Sequence, residues 1–282
     1  MKAHILLIAC PDETGLVHRI TGVLYSRGLN IISNGEFVET ATNRFFMRTE
    51  FAGGDGVELS PRELTEQLAG VIPSTASIRL SRRRRPDLVV LVTKEPHCLG
   101  DLLLRHDSGQ LRGRLRAVIG NHPHLEPLVQ RFGIPYHCVE SEGRSREEHE
   151  EAVLETAQRY EPEYLVLAKY MRVLSSGFVS HFPNRIVNIH HSFLPAFAGA
   201  RPYQQAFERG VKIIGATAHF VDENLDEGPI IAQSIIPVDH TSSARDMARA
   251  GQDVEKIVLA GALRLVLEDR VFVSGRRTVI FA

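Results

Sequence analysis

The segment DLVVLVT (Asp87–Thr93) decides how most of this chain is read. Leu88 to Val92 holds no polar residue, and Pro86 and Pro96 stand on either side of it. An apolar run that short predicts a strand covered on both faces, the pattern of a parallel sheet. Leu115–Ile119, Ile134–Val139, Tyr164–Ala168 and Arg185–Ile189 read as further strands. Helical segments lie between them: Leu99–Arg105, His124–Phe132, Arg146–Tyr160 and Leu174–Ser180. The alternation predicts a doubly wound, mostly parallel α/β domain with right-handed crossovers. A helix from about Ser243 to Asp269 and a hairpin turning at Ser274-Gly275 complete it.

Toward the N terminus the pattern changes. His4–Ala9 predicts a strand, and Leu16, Ile20, Val23 and Leu24 lie on one helical face, with Gly28 placed to end that helix. Leu29–Val38 and Asn43–Phe51 predict two strands joined at Thr40–Thr42, and Gly53–Gly56 a loop. Ser60-Pro61-Arg62-Glu63 combines a capping box with proline at the first helical position. Leu64, Leu68 and Val71 supply its buried stripe, and Ser77–Leu80 a last strand. The order βαββαβ implies a ferredoxin-like sandwich. The expected division is therefore a first domain at 1–81, a linker at 82–86 and a second domain at 87–282. The linker's four arginines read as a solvated connection, or as a contact for a polyanionic substrate tail.

Lys and Arg (33) balance Asp and Glu (34), leaving a net charge of −1. That argues against a nucleic-acid partner, whose binding rests on phosphate contacts, and against an anionic membrane surface. Ile5–Cys10 is too short for a membrane span or a signal segment. Cys10, Cys98 and Cys138 are odd in number and far apart, fitting reduced thiols in a cytoplasm. No G-x-G-x-x-G, P-loop or H-E-x-x-H pattern occurs, so neither a nucleotide cofactor nor a zinc-peptidase site is expected.

The chemistry gathers at RIVNIHHSFLPAFAG (Arg185–Gly199). Along an extended chain Asn188, His190 and Ser192 point the same way, at the carboxyl end of a strand. His219 and Asp226 follow in a second polar island. An amide donor, an imidazole and a carboxylate to hold it suit acyl transfer, although Asn-x-His at a strand end also reads as a loop cap. His190, His191, His219 and Asp226 could alternatively gather round a metal. The neighbouring histidines should face opposite ways, and an amide is a poor zinc ligand, so no metal is expected.

NIHHSFLP (Asn188–Pro195), GATAHFV (Gly215–Val221) and LDEGPIIAQ (Leu225–Gln233) together resemble the formyltetrahydrofolate-using formyltransferase family. The resemblance implies that Asn188 and protonated His190 stabilise a tetrahedral oxyanion. It also implies that Asp226 holds the imidazolium and positions the nucleophile. Lys169, Tyr170, Met171, Arg172, Val173 and Leu174 become folate-binding positions, with Ser192, Thr217 and His219 supporting the trio. The folate is then substrate, and no cofactor is implied. In members that formylate glycinamide ribonucleotide, a Gly/Ser-rich loop after the first strand holds a phosphate. Here that place reads TKEPHCLGD (Thr93–Asp101), where Pro96 removes an amide and Glu95 repels an anion. This stretch, with a sensing domain in front, is similar to the branch whose acceptor is water. That branch hydrolyses 10-formyltetrahydrofolate to formate and tetrahydrofolate, balancing the one-carbon pool and supplying formate for purine synthesis. Transfer to another amino acceptor, or folate binding by a non-enzymatic sensor, are the alternatives.

PDETGLV (Pro11–Val17) and RGLNII (Arg27–Ile32) resemble the ACT domain. That resemblance implies a homo-oligomer, dimer or tetramer, and an amino-acid effector near Asp12, Gly15 and Asn30. Gly15 and Asn30 also read simply as turn residues of an assembly module.

Overall fold

The first apolar run becomes β1 (Ala3–Pro11), buried along nearly its whole length. It belongs to a unit formed by Met1–Arg84, Glu268–Phe272 and Val279–Ala282. The computed structural model describes residues 3–54, 59–82, 85–196 and 202–281. Asp55 and Gly56 of the expected loop, Arg83 and Arg84 of the linker, and Phe197–Gly199 lie outside these.

After β1 come α1 (Leu16–Ser26), β2 (Leu29–Glu39), β3 (Arg44–Gly53), α2 (Pro61–Ala69) and β4 (Ser77–Arg82). The strands form an antiparallel sheet in the order β2-β3-β1-β4, the sandwich expected from βαββαβ. Leu16, Ile20 and Leu24 of α1 and Leu64 and Leu68 of α2 bury against Leu6 and Ile8. Gly28 ends α1 with a left-handed φ of 66°, its N–H on the Tyr25 carbonyl, as a chain turning back into a strand requires. Ser60 caps α2 through the Glu63 amide. Residues 268–272 and 279–282, read from sequence as part of the second domain, pack in this first unit. Buried Arg48 donates to the carbonyls of Asp269 and Glu268 at 2.9 and 3.0 Å, and Phe272 packs edge-on between Phe46 and Phe281.

The second unit comprises Arg85–Leu267 and Val273–Thr278. It runs β5 (Asp87–Val92), α3 (His97–Asp107), β6 (Arg114–Gly120), a 3-10 turn, α4 (Glu126–Gln130), β7 (Tyr136–Cys138) and α5 (Arg146–Gln158). Then follow β8 (Tyr164–Leu167), α6 (Ser176–Ser180), β9 (Ile186–His190), α7 (Pro202–Glu208), β10 (Ile213–Phe220) and β11 (Ile230–Pro237). The long α8 (Ala244–Leu267) and the hairpin β12 (Val271–Ser274) and β13 (Arg277–Ile280) finish the chain. The seven-stranded sheet has the order β11-β10-β9-β8-β5-β6-β7. Its β5 to β9 portion is parallel, while β10 pairs antiparallel with both β9 and β11. Val89, Leu91, Leu165 and Ile186 join one core with Val153 of α5 and Phe178 of α6. The sequence pattern predicts none of α7, β10 and β11. Gly215, Ala216 and Ala218 dilute the apolar signal of β10, although the strand is buried almost throughout. Among the described residues no helix is long and apolar enough to cross a membrane.

Candidate active site

The chain moves from β5 outward to β6 and β7, then returns to β8 on the other side of β5. Ligands of open α/β sheets bind beyond the strand carboxyl ends at such a reversal. A cavity of about 290 Å³ opens there, lined by residues 169–174, 188–191 and 221–226 with Leu167 and His219.

The antiparallel pairing of β9 with β10 sets Asn188 opposite His219 and His190 opposite Thr217. Cross-strand partners share a face, and Asn188 Nδ2 accordingly lies 3.1 Å from His219 Nε2. His219 donates from Nδ1 to the Phe220 carbonyl at 2.8 Å, which fixes its ring and turns Nε2 toward Asn188 and Asp226. The 221–229 loop brings in Asp226, whose left-handed backbone (φ 57°) aims its carboxylate back at the strands. Asp226 Oδ1 stands 3.2 Å from His190 Nδ1 and 3.7 Å from His219 Nε2. Burial pushes the Asp226 carboxyl up, but the hydrogen bond from His190 and then the nearby His219 imidazole outweigh it and hold the group well below the usual carboxylate range. His190 therefore donates from Nδ1 to a carboxylate. Its Nε2, buried and without a partner among the described residues, is left for a ligand. Asn188, His190 and Asp226 are thus brought to one wall of one cavity.

Strand geometry ends at His190, and the expected alternation ends with it. The His191 ring stacks on His190, centroids 5.0 Å apart and 12° between planes, instead of facing away. The neighbouring histidines therefore do not point apart, contrary to the expectation from strand alternation that counted against a metal. Burial, then the nearby charges of Lys169 and His190, lower the pKa of His191 to about 4, so it is neutral near pH 7. Among the described residues the group with ligand atoms close enough to share a metal is His97, Cys98 and Glu255. There the Lys169 ammonium already stands 3.2 Å from Glu255 and opposes a second cation.

Ser192 and Thr217 do not line the cavity. Ser192 turns from the Asn188–His190 row and donates to the Ala196 carbonyl at 2.7 Å. Thr217 donates to the Ser192 carbonyl at 2.8 Å and accepts from the Leu194 amide and from Gln233 Nε2. Together they pin the loop that follows His190.

The 169–174 segment lines the same cavity. Tyr170 is buried, whereas Met171 and Val173 are 56% and 51% exposed and offer apolar surface to the cavity instead of packing as core. Residues not singled out from sequence fix this segment. Thr93 Oγ1 accepts the Met171 amide at 3.0 Å. Glu150 takes both the amide and the hydroxyl of Ser175, and Arg146 bridges Glu150 and the Val173 carbonyl, each at 3.1 Å. Gly228 is a further omission. A side chain there would overlap the Phe220 carbonyl, the oxygen that receives His219 Nδ1. Gly228→Ala is expected to displace the Asp226 loop, lowering turnover by about 10²-fold and destabilising by about 1–3 kcal/mol. Turnover within twofold of wild type, measured on folded protein, would show that the loop does not depend on this contact.

Asp12, Gly15 and Asn30 stand at the end of β1, the start of α1 and the start of β2. The Asp12 amide bonds the Asn43 carbonyl at 2.9 Å, and Gly15 has a left-handed φ of 86°.

Residues 87–263 match the formyl transferase family model. The chain is 54% identical to the formyltetrahydrofolate deformylase of Escherichia coli K12 over 280 residues, 99% of each chain. The crystal structure of the formyltetrahydrofolate deformylase from Pseudomonas syringae superposes with a TM-score of 0.95 at 38% identity, covering all of this chain and 95% of that one. The glycinamide ribonucleotide transformylase of Symbiobacterium toebii, at 34% identity and TM-score 0.68, covers 70% of this chain and 95% of its own.

Proposed function

The chain belongs to the formyl transferase family, among its formyltetrahydrofolate deformylases, and we propose that it performs their reaction with Asn188, His190 and Asp226. It is a hydrolase that converts 10-formyltetrahydrofolate to formate and tetrahydrofolate. Full-length similarity favours water as acceptor over glycinamide ribonucleotide, since the transformylase matches 70% of the chain.

The observation that supports the trio is His190 itself, with Nδ1 held by an ionised Asp226 at 3.2 Å and Nε2 unpartnered in the cavity wall. A formyl group on the folate nitrogen lies with its carbonyl oxygen toward Asn188 Nδ2 and the His190 Nε2–H. Water attacks the carbon, and the carbonyl electron pair moves onto an oxyanion that these donors stabilise. The Asp226–His190 pair takes up the water proton as the C–O bond forms. The C–N bond breaks as the pair returns a proton to the folate nitrogen. Formic acid then ionises. Lys169, Tyr170, Met171, Arg172, Val173 and Leu174 bind the pteridine-bearing substrate. Ser192, Thr217 and His219 hold the trio in place, and no cofactor or metal enters.

Incubation with 10-formyltetrahydrofolate and no amine tests this reading. Formate and tetrahydrofolate should appear in equal amounts, at a rate unaffected by exhaustive chelation. Turnover that requires an added acceptor, or that chelation abolishes, counts against it.

The place of work we infer is the cytoplasm, in a homo-oligomer, where formate supplies purine synthesis. The first unit is proposed to sense a small amino acid tied to one-carbon flux, glycine or methionine being the first to try, through Asp12, Gly15 and Asn30. A coupling of about 1–3 kcal/mol is the usual scale of allostery. Titration of the intact chain with amino acids should change its rate by a few-fold to about 10²-fold. No binding and no rate change across all twenty would leave the unit an assembly module.

A further inference from the structure

The second unit buries a polar cluster of which the hydrolytic scheme uses only Lys169. Glu255 of α8 is 0% exposed. Its Oε1 accepts from the Tyr203 hydroxyl at 2.6 Å. Its Oε2 lies 2.7 Å from His97 Nε2 and 3.2 Å from Lys169 Nζ. Lys169 is 4% exposed, with a left-handed φ of 62°, and its ammonium also stands 3.9 Å from Glu95. Gly251 sits one turn before Glu255, where a side chain would overlap the Tyr203 phenol. Its absence lets Tyr203 reach the carboxylate. The cluster thus ties together the turn after β5, the end of β8 and α8. It also reaches the reacting centre, because His191 stacks on His190 and tilts against Tyr203 at 6.4 Å. Lys169 and His191 line the reaction cavity, whereas His97, Tyr203 and Glu255 stand behind them.

We propose that this Glu255–Lys169–His97–Tyr203 network restricts the acceptor to water by closing the cavity wall behind Lys169 and His191. The inference rests on the deformylase reading. A formyl carbon activated at His190 reacts with any nucleophile that reaches it, and an unprotonated amine attacks more readily than water. Selectivity for water therefore depends on keeping amines out. The His97 imidazole and the Tyr203 ring fill the space. Lys169 and His97 also engage buried Glu255, so that carboxylate does not stand open to draw in an ammonium ion, and Lys169 offsets the charge of half-exposed Glu95 at 3.9 Å. Loss of the His97 ring would leave a gap bordered by Glu255 and Glu95, charged to hold a small ammonium ion, which gives up a proton to Glu95 and so becomes the reactive amine. Transfer would then compete with hydrolysis. The amine nitrogen bonds to the formyl carbon, the bond to the folate nitrogen breaks, and the amine's proton passes to that nitrogen. The products are an N-formylamine and tetrahydrofolate.

The test incubates the full chain with 10-formyltetrahydrofolate plus methylamine or glycinamide and measures formate, N-formylamine and tetrahydrofolate. Wild type should yield formate. His97→Ala should raise the ratio of N-formylamine to formate by about tenfold or more, and Tyr203→Phe by less. His97→Gln, which retains a donor toward Glu255, should bring the ratio back toward wild type. A purely structural role would change total turnover without moving this ratio. Should His97→Ala not fold, Tyr203→Phe, which loses one hydroxyl, still reports the ratio. A ratio equal to wild type in every folded variant overturns the proposal. Absence of formate from wild type would instead overturn the deformylase reading.

Discussion

His190→Ala is expected to lower the turnover of 10-formyltetrahydrofolate by at least about 10²–10³-fold while the protein stays folded. The alanine removes Nε2, the group left unpartnered toward the ligand, and also strips Asp226 of its partner at 3.2 Å. Asn188→Ala removes the second donor to the same oxygen, and Asp226→Ala removes the group that orients the imidazole. All three act on one transition state, so the double variant Asn188→Ala/His190→Ala should fall well short of the product of the single effects. The measurement is kcat for formate release, with circular dichroism and a thermal melt confirming the fold. Near-normal turnover in His190→Ala would remove the imidazole from the mechanism. Strictly multiplicative losses would mean that the residues do not share a transition state.

Much of this site was legible because its carriers sit on strongly patterned segments. The unbroken apolar run of Leu88–Val92 marks a strand covered on both faces, and the Asn-x-His at the end of β9 required only the two-residue period of a strand. What escaped was whatever depended on pairing between distant segments. Asn188 meets His219 because β9 and β10 are antiparallel neighbours, and β10 did not read as a strand behind its glycine and alanines. His191 follows the last strand residue, so the alternation rule no longer governs its ring. Glu150 is one of five glutamates on α5, and local sequence cannot separate the one that grips Ser175 from the solvated others. The C-terminal segments join the first unit through Arg48, more than two hundred residues away in sequence, and no local pattern announces that. The same limit hid Glu255. The sequence predicts no more there than a helix from about Ser243 to Asp269, while the Glu255 partner His97 lies 158 residues earlier.

Glu255 carries the second large expected effect. Burial raises its carboxyl, but the hydrogen bond to His97, the Lys169 charge and the Tyr203 hydroxyl outweigh that and bring its pKa from 4.5 down to about 2. Because the folded value lies below the unfolded one, the stabilisation is fully present above pH 4.5 and is lost as pH falls through about 2. The interval corresponds to roughly 3 kcal/mol. Glu255→Ala should therefore destabilise the protein at neutral pH by about 3–5 kcal/mol, the scale for leaving a buried charge without its counterion. Among the described residues Lys169 would keep the Glu95 carboxylate, at 3.9 Å, and the Tyr203 hydroxyl would lose its acceptor. Urea unfolding of wild type and variant at pH 7 measures the gap. Repeating it below pH 4.5 should show the gap narrowing, because the wild-type contribution is titrated away while the variant has none to lose. Equal stability at pH 7 would mean that Lys169 sheds its proton or reaches solvent when Glu255 is absent. A gap unchanged by acid would mean that the carboxylate contributes through packing and not through its charge.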